Sequence, residues 1–329
     1  HRGQQGHDQQ ACRLVSSDHA PPGLAAGVFN DWRRTCESIR RQLDEETVRV
    51  AVVGAIKSGK STFINALFGE DYLKRGAGVI TSIVTRVRRG PVLQASLHFK
   101  SWDEVNRDIN QALVLFPQFD ADDAPGAFDI RRSRDRSRLQ KALDALGAEQ
   151  WFTRSARDPN GVLLSCYLQG YGGVEQILSA DRSTLHFDGE RFFEHQRFAG
   201  RDSLAVYLRD IQLSIDSGPL DGGIEIADCQ GSDSPNPLHL TMIQDYLLLT
   251  HLIVYVVSSR TGLRQADIRF LNMIRTMGIM DHILFVVNCD ISEHDSLENL
   301  MSVAADIGRE LSLIKPDPEI FTLSALHRL

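Results

Sequence analysis

The chain has 329 residues, 42% of them hydrophobic, which is enough to bury a full core as one large domain with a sizeable insertion or as two smaller ones. Its formal charge of −7 excludes a surface that is basic overall, as a general nucleic-acid binder needs, so no nucleic-acid partner is expected. The longest apolar run, residues 247–257, is broken by Thr250 and His251 and falls short of the roughly 20 residues that cross a bilayer, leaving only peripheral membrane contact.

The N-terminal residues are polar, rich in Gln and His, and lack the order of a signal peptide, so residues 1–23 read as a loose tail. Cys12, Cys36, Cys166, Cys229 and Cys289 are scattered and odd in number, which indicates neither a disulfide framework nor a zinc site and points to a reducing, cytoplasmic compartment. Within residues 24–45, Leu24, Val28 and Trp32, then Phe29, Cys36, Ile39 and Leu43, recur at helical spacing. They predict an amphipathic helix whose apolar face packs on the adjacent domain or on helices that this chain does not contain.

Residues 48–53 are β-branched and apolar, as a strand buried on both faces requires, and a helix opens at Lys60 and runs through Phe63, Ile64 and Leu67. Residues 91–204 break the alternation. They hold helix-like stretches at 101–116, 133–146 and 162–178 between Gly, Pro and Asp-rich breaks, with the clearest loop at 120–125, and predict a mostly helical insertion. Strand and helix then alternate again: strand 223–227 and helix 238–249, strand 252–257 and helix 264–277, strand 283–287 and helix 296–313, and a last strand at 319–323. Phe270, Ile274 and Met277 line one helix face and Leu297, Leu300, Met301, Ala304 and Leu311 another, so the fold class is α/β, a doubly wound sheet with a helical insertion.

Gly54-Ala55-Ile56-Lys57-Ser58-Gly59-Lys60-Ser61-Thr62 follows the first strand and opens the helix. Glycines at this spacing let backbone N–H groups close around phosphate oxygens while the helix adds its N-terminal dipole, which is the pattern of a P-loop for a nucleoside triphosphate. Lys60 is placed to reach the β and γ phosphates and Ser61 to offer a hydroxyl to Mg2+. Asp228-Cys229-Gln230-Gly231 ends the strand at 223–227, where Asp228 holds Mg2+ through water and the Gly231 N–H meets the γ phosphate; the simpler reading of the aspartate is a turn former. Thr81 is the candidate to complete the Mg2+ shell and order the first switch, with Thr85 as its competitor. The base reader of GTPases is an Asn/Thr-Lys-x-Asp sequence at a strand end, and here the strand ends in Asn288-Cys289-Asp290. Aligned on Asp290, Asn288 stands where lysine is expected; aligned on Asn288, Cys289 does and the aspartate is displaced. Asp290 is the candidate guanine reader, with helix capping as the alternative, and Ser324 marks the loop that presents a backbone N–H to the guanine oxygen.

With these elements in chain order, the sequence resembles the dynamin superfamily of large GTPases, especially its bacterial dynamin-like members. Asp71-Tyr72-Leu73-Lys74-Arg75-Gly76-Ala77-Gly78-Val79-Ile80-Thr81 is similar to the family's Leu-Pro-Arg-Gly-x-Gly-x-x-Thr switch, with Lys74 in place of proline. Ser61-Thr62-Phe63-Ile64-Asn65-Ala66-Leu67-Phe68-Gly69 is similar to its Ser-Thr-x-x-Asn-Ala-Leu-x-Gly helix start. The resemblance covers residues 46–90 and 205–329, and the insertion finds no counterpart. It implies a Mg2+-dependent enzyme that binds GTP and GDP, hydrolyses GTP, dimerises through the nucleotide face and couples nucleotide state to assembly or membrane remodelling. The family's helical stalk is absent from this chain, so peripheral membrane contact would come through that missing part.

Three departures bear on catalysis. Gln230 replaces the proline of the family's Asp-x-Pro-Gly switch. The Gln-Ser pair that positions water and a monovalent cation in eukaryotic dynamins is replaced by Ile56 and Lys57. The Lys57 ammonium is a candidate to supply the charge of that cation between the β and γ phosphates, against the simpler reading of a hydrated surface lysine. These departures keep two alternatives open: a nucleotide-dependent assembly module with little or no hydrolysis, and a P-loop ATPase. The basic run Arg131, Arg132, Arg134, Arg136, Arg138 and Lys141 has the charge to meet anionic lipid, but Asp135 interrupts it and a solvated helix face is the simpler reading.

Overall fold

The computed structural model of the chain describes residues 47–73, 83–114, 116, 127–153, 159–216, 218, 220–229 and 243–325. The expected tail and amphipathic helix lie outside them. Nine strands form one sheet: β1 (Val48–Val53), β2 (Val84–Arg89), β3 (Gln94–Phe99), β4 (Thr184–Asp188), β5 (Leu208–Ile215), β6 (Ile224–Asp228), β7 (Leu252–Ser258), β8 (Ile283–Asn288) and β9 (Ile320–Leu323). Their spatial order is β4-β3-β5-β2-β6-β1-β7-β8-β9. From β6 to β9 every pairing is parallel, while β2 runs antiparallel to β6, and β3 antiparallel to both β5 and β4.

The helices are α1 (Lys60–Phe68), α2 (Trp102–Val114), α3 (Ser133–Thr153), α4 (Pro159–Val174), α5 (His195–Ala199), α6 (Asp202–Ala205), α7 (Gln265–Thr276) and α8 (Leu297–Ser312). Because strand side chains alternate between faces, neighbouring residues of the central strands serve two cores. Val52, Val254, Val256 and Val286 face Ile64 of α1 in a cluster that extends to Ile109, Leu139, Tyr167 and Leu213. Ala51, Val53, Tyr255, Val257 and Phe285 face the other way, onto Phe270 and Ile274 of α7 and Ile307 and Leu311 of α8. A doubly wound sheet results.

The stretch expected as a mostly helical insertion is helical through α2 to α6, but it also supplies β3 and β4, which widen the sheet. These strands alternate strictly: Ala95, Leu97 and Phe99 are buried, while Gln94, Ser96 and His98 are half-exposed and bond across to Asp188, His186 and Thr184. Three residues of the basic run, Arg131, Arg132 and Arg136, have partners within the fold. Arg131 pairs with Asp129 at 2.7 Å, Arg132 approaches Asp135 at 3.7 Å, and Arg136 lies 4.1 Å over the Tyr171 ring while donating to the Ile130 carbonyl. Asp135, whose charge interrupts the run in sequence, is buried and accepts from the Asp129 N–H.

His195 opens α5 at 2% exposure, with Nδ1 2.6 Å from the Phe192 carbonyl oxygen. Burial lowers its pKa from the usual 6.5, outweighing backbone bonds to Phe192 and Tyr72 that raise it. A depressed histidine is neutral in the fold and takes up a proton on unfolding, so its contribution to stability is whole above pH 6.5 and is lost as pH falls through the folded-state value. Thermal unfolding measured from neutral to mildly acid pH should show stability falling by at most about 1.4 kcal/mol per pH unit from this one proton. The His195→Asn variant should be less stable at neutral pH and show a flatter acid slope than the wild-type protein.

Candidate functional site

The loop between β1 and α1 is shaped by three residues with positive φ: Gly54 at 146°, Lys57 at 66° and Gly59 at 95°. A side chain at Gly54 would put its Cβ 2.3 Å from the Val256 carbonyl oxygen, and one at Gly59 would lie 2.0 Å from Asn288 Nδ2. Glycine is therefore required at both positions by contact as well as by φ. Lys57 holds the left-handed conformation with a full side chain, exposed at the loop's outer turn. A non-glycine residue held there is strained, and such strain concentrates at functional loops.

α1 begins without a side-chain cap and without an acidic residue in its first turn. Its first N–H groups are thus left to a ligand and its dipole to an anion. Lys60 is buried, its ammonium donating to the carbonyl oxygens of Gly54 at 3.0 Å and Ala55 at 2.8 Å, so positive charge is pinned at the mouth of the loop. Ser61 donates its hydroxyl to Asp228 Oδ2 at 2.6 Å, tying α1 to the end of β6. The other carboxylate oxygen, Oδ1, is buried without a hydrogen-bond partner among the described residues. Burial raises the Asp228 pKa, opposed by the nearby Lys60 charge and the Ser61 bond. Ser58 Oγ and Ser324 Oγ are likewise buried and unbonded among the described residues. An unmet buried oxygen is costly in an isolated protein and is the usual mark of a place where a ligand supplies the partner.

Asn288, at the end of β8, bridges three segments. Its Nδ2 donates to the Ser58 carbonyl at 3.1 Å, and its Oδ1 accepts from the Ala325 N–H at 3.2 Å. These bonds lock the phosphate loop to the loop after β9. Asp290 follows, with Oδ1 accepting from the backbone N–H of Ser292 at 3.2 Å and its hydroxyl at 2.6 Å, so its carboxylate caps the next turn. Its own N–H donates to Ser259 Oγ at 3.2 Å. Ser259 is buried and sits 2.9 Å from His294 Nε2, whose Nδ1 lies 3.1 Å from Asn299 Oδ1. This relay, which holds the loop carrying Asp290, has no signal in sequence because Ser259, His294 and Asn299 come from different elements.

The structure thus gathers Gly54, Ile56, Lys57, Ser58, Gly59, Lys60, Ser61 and Thr62 around one helix start, with Asp228 bonded to it and Asn288 joining Ser324's loop to it. Thr81, Gln230 and Gly231 lie outside the described residues. Thr85, the competitor of Thr81, lies within β2 opposite Asp228 in register. The Gly59 contact makes a stability prediction that needs no ligand. Gly59→Ala should cost about 1–3 kcal/mol in denaturant unfolding, from φ strain and from displacing Asn288. Gly222→Ala, with open space around its Cβ, should stay within about 0.5 kcal/mol of wild type.

The chain is similar to known proteins in sequence and in fold. The family model of the Dynamin family matches residues 50–290. Dynamin-like protein A of Bacillus subtilis (strain 168) is 22% identical over 301 residues, which cover 88% of this chain and 23% of that protein. The isoniazid-induced protein IniC of Mycobacterium tuberculosis is 36% identical over 87 residues, 26% of this chain and 15% of that protein. A solved structure of an oligomerised bacterial dynamin pair, which provides a mechanism for long-range sensing and tethering of membranes, has a TM-score of 0.56 at 16% identity, over 90% of this chain and 36% of that one. That likeness is one of fold. The chain spans less than a quarter of the length of the Bacillus relative. With a family match across most of its length, the chain belongs to the dynamin family.

Proposed function

We propose that this chain is the GTP-binding and GTP-hydrolysing domain of a dynamin-like protein, dependent on Mg2+. The observation that carries the reading is Asp228, a buried carboxylate near the Lys60 charge, with one oxygen on the Ser61 hydroxyl and the other unbonded among the described residues. Mg2+ takes one or two protein groups and leaves its other positions to water and phosphate oxygens. Ser61, Asp228 and Thr81 are the residues that would hold it, and when bound it neutralises charge on the β and γ oxygens.

The remaining work falls to the chain's own groups. The N–H groups of the loop and of α1, with Gly231, bind phosphate oxygens, and Lys60 turns its ammonium from the Gly54 and Ala55 carbonyls toward the β and γ phosphates. Asn288 and Ser324 line the base side, with Asp290 the proposed guanine reader once its carboxylate exchanges Ser292 for the base. Lys57 is proposed to supply fixed positive charge between the β and γ phosphates; its strained, exposed position at the loop's turn supports that role. Membership of the family supports dimerisation through the nucleotide face, and coupling of nucleotide state to assembly or membrane remodelling in a cytoplasmic protein with peripheral membrane contact. Among the described residues no helix is long and apolar enough to cross a membrane. A second reading, binding with little or no turnover, draws support from Ile56 and Lys57 standing where eukaryotic relatives place water-positioning groups.

Phosphate release from GTP with and without Mg2+ tests the proposal. Turnover should require Mg2+ and fall about a hundredfold in Lys60→Ala, the scale of losing one charged transition-state contact. A slow rate that does not change with protein concentration would favour the binding module. Displacement of a fluorescent GTP analogue by GTP but not by ATP is the expected result for a guanine site, and equal displacement would make the chain a purine-tolerant or ATP-using member. For Lys57, turnover should be equal in sodium, potassium and choline salts, and a clear potassium dependence of the wild-type protein would sink that role.

A further inference from the structure

Asn65 of α1 is 2% exposed and presents its amide to the backbone of Leu73: Nδ2 donates to the Leu73 carbonyl at 2.9 Å and Oδ1 accepts from the Leu73 N–H at 2.8 Å. Only a carboxamide donates and accepts in this paired way, which gives the asparagine of the helix-start motif a physical reason. The preceding residue is held from the opposite side. The Tyr72 carbonyl accepts from Gln196 Nε2 at 3.2 Å, and the Tyr72 backbone also bonds to the buried ring of His195. The Tyr72 ring meets Phe192 edge to face at 5.9 Å, and Phe192 in turn lies 4.9 Å from the His195 ring. The base of this grip is Phe198 of α5, wedged 5.7 Å from Phe99 of β3 and 6.1 Å from Phe187 of β4.

Residues 72–73 are therefore clamped between two elements of different origin. One is the helix whose first turn carries Lys60 and Ser61. The other is rooted on the strands β3 and β4, in residues 91–204, the stretch expected as an insertion. From the clamp the chain runs directly into Lys74 and on to Thr81.

We propose that Gln196 and His195 are positioning residues for turnover, holding the Tyr72–Leu73 backbone, which precedes in sequence the stretch that carries Thr81, in register with α1. The insertion thereby acquires a part in the nucleotide chemistry, transmitted through a side-chain bond to one carbonyl. The claim on turnover rests on the GTPase reading of the site; the hold on Tyr72 does not.

The test uses the full chain and a half-exposed residue, so that folding is not at stake. Gln196→Glu keeps the side chain's size but turns the donor into an acceptor facing the Tyr72 carbonyl, and Gln196→Lys restores a donor. Lys74 and Arg75 make the clamp directly readable, because trypsin cuts after each of them. In nucleotide-free protein, Gln196→Glu should raise the initial cleavage rate at these two bonds about fivefold, the worth of one hydrogen bond. The same variant should lower kcat for GTP by a similar factor, with KM and melting temperature near wild type, and Gln196→Lys should return both readouts toward wild type. Unchanged cleavage in Gln196→Glu overturns the proposal whatever turnover does. A fall in melting temperature and nucleotide affinity that accounts for the loss in kcat assigns Gln196 a purely structural role and also overturns it. If the wild-type protein itself releases no phosphate, the GTPase reading fails and the claim on turnover with it, while the cleavage comparison still decides the hold.

Discussion

The site is organised by one side chain, Asn288. Its amide reaches the Ser58 carbonyl across a sequence separation of 230 residues and accepts from Ala325, so the phosphate loop, the end of β8 and the loop after β9 share a single anchor. The close approach is possible only because Gly59 has no Cβ, and the positive φ of that glycine is what turns the chain into α1. The order of dependence runs from Gly59 to Asn288 to the loop, and from the loop to the position of the Lys60 ammonium.

Around that anchor the molecule keeps several polar groups unsatisfied. Asp228 Oδ1, Ser58 Oγ and Ser324 Oγ are buried oxygens without partners among the described residues, and all three lie where the P-loop, the strand-end aspartate and the base loop converge. A protein that needed only to be stable would fill such positions with apolar groups or pair them. Keeping them open at the C-terminal edge of a parallel sheet is the arrangement by which α/β folds bind ligands, and here it coincides with the uncapped start of α1.

Much of this was legible in the sequence, and the reason is physical. β1, β7 and β8 are buried on both faces, so they read as continuous apolar runs, and α7 and α8 show their buried stripe at helical spacing. The P-loop is local, nine consecutive residues in which the glycines at 54 and 59 follow from contact and φ. What sequence reading missed is non-local or only half-buried. β2, β3, β4 and β5 alternate buried and polar positions and lie among helices, where the period-two signal of Gln94–Phe99 or Leu208–Ile215 is short and the polar residues look like loop. The partners of Asn65, Ser259 and Asn288 sit in other elements, and no spacing rule announces them. The shape of the base-reading motif remained ambiguous in sequence because two registers were chemically reasonable. In the structure Asn288 bonds to Ser58 and Ala325, and Asp290 to Ser292.

The strand order has a consequence for how the chain comes to be folded. β1 pairs with β6 and β7, and β2 with β5 and β6, so the centre of the sheet closes only after the whole insertion has been spanned. Contacts this distant make nucleation slow, since the entropy of closing the loop is lost before any pairing repays it. The phosphate loop, although its residues are contiguous and lie early in the chain, gains its bond to Asn288 only when β8 and the loop after β9 have arrived. A nucleotide would therefore find its site only once the sheet through β9 has assembled, and by mass action its presence would draw late folding intermediates of this domain toward the native state.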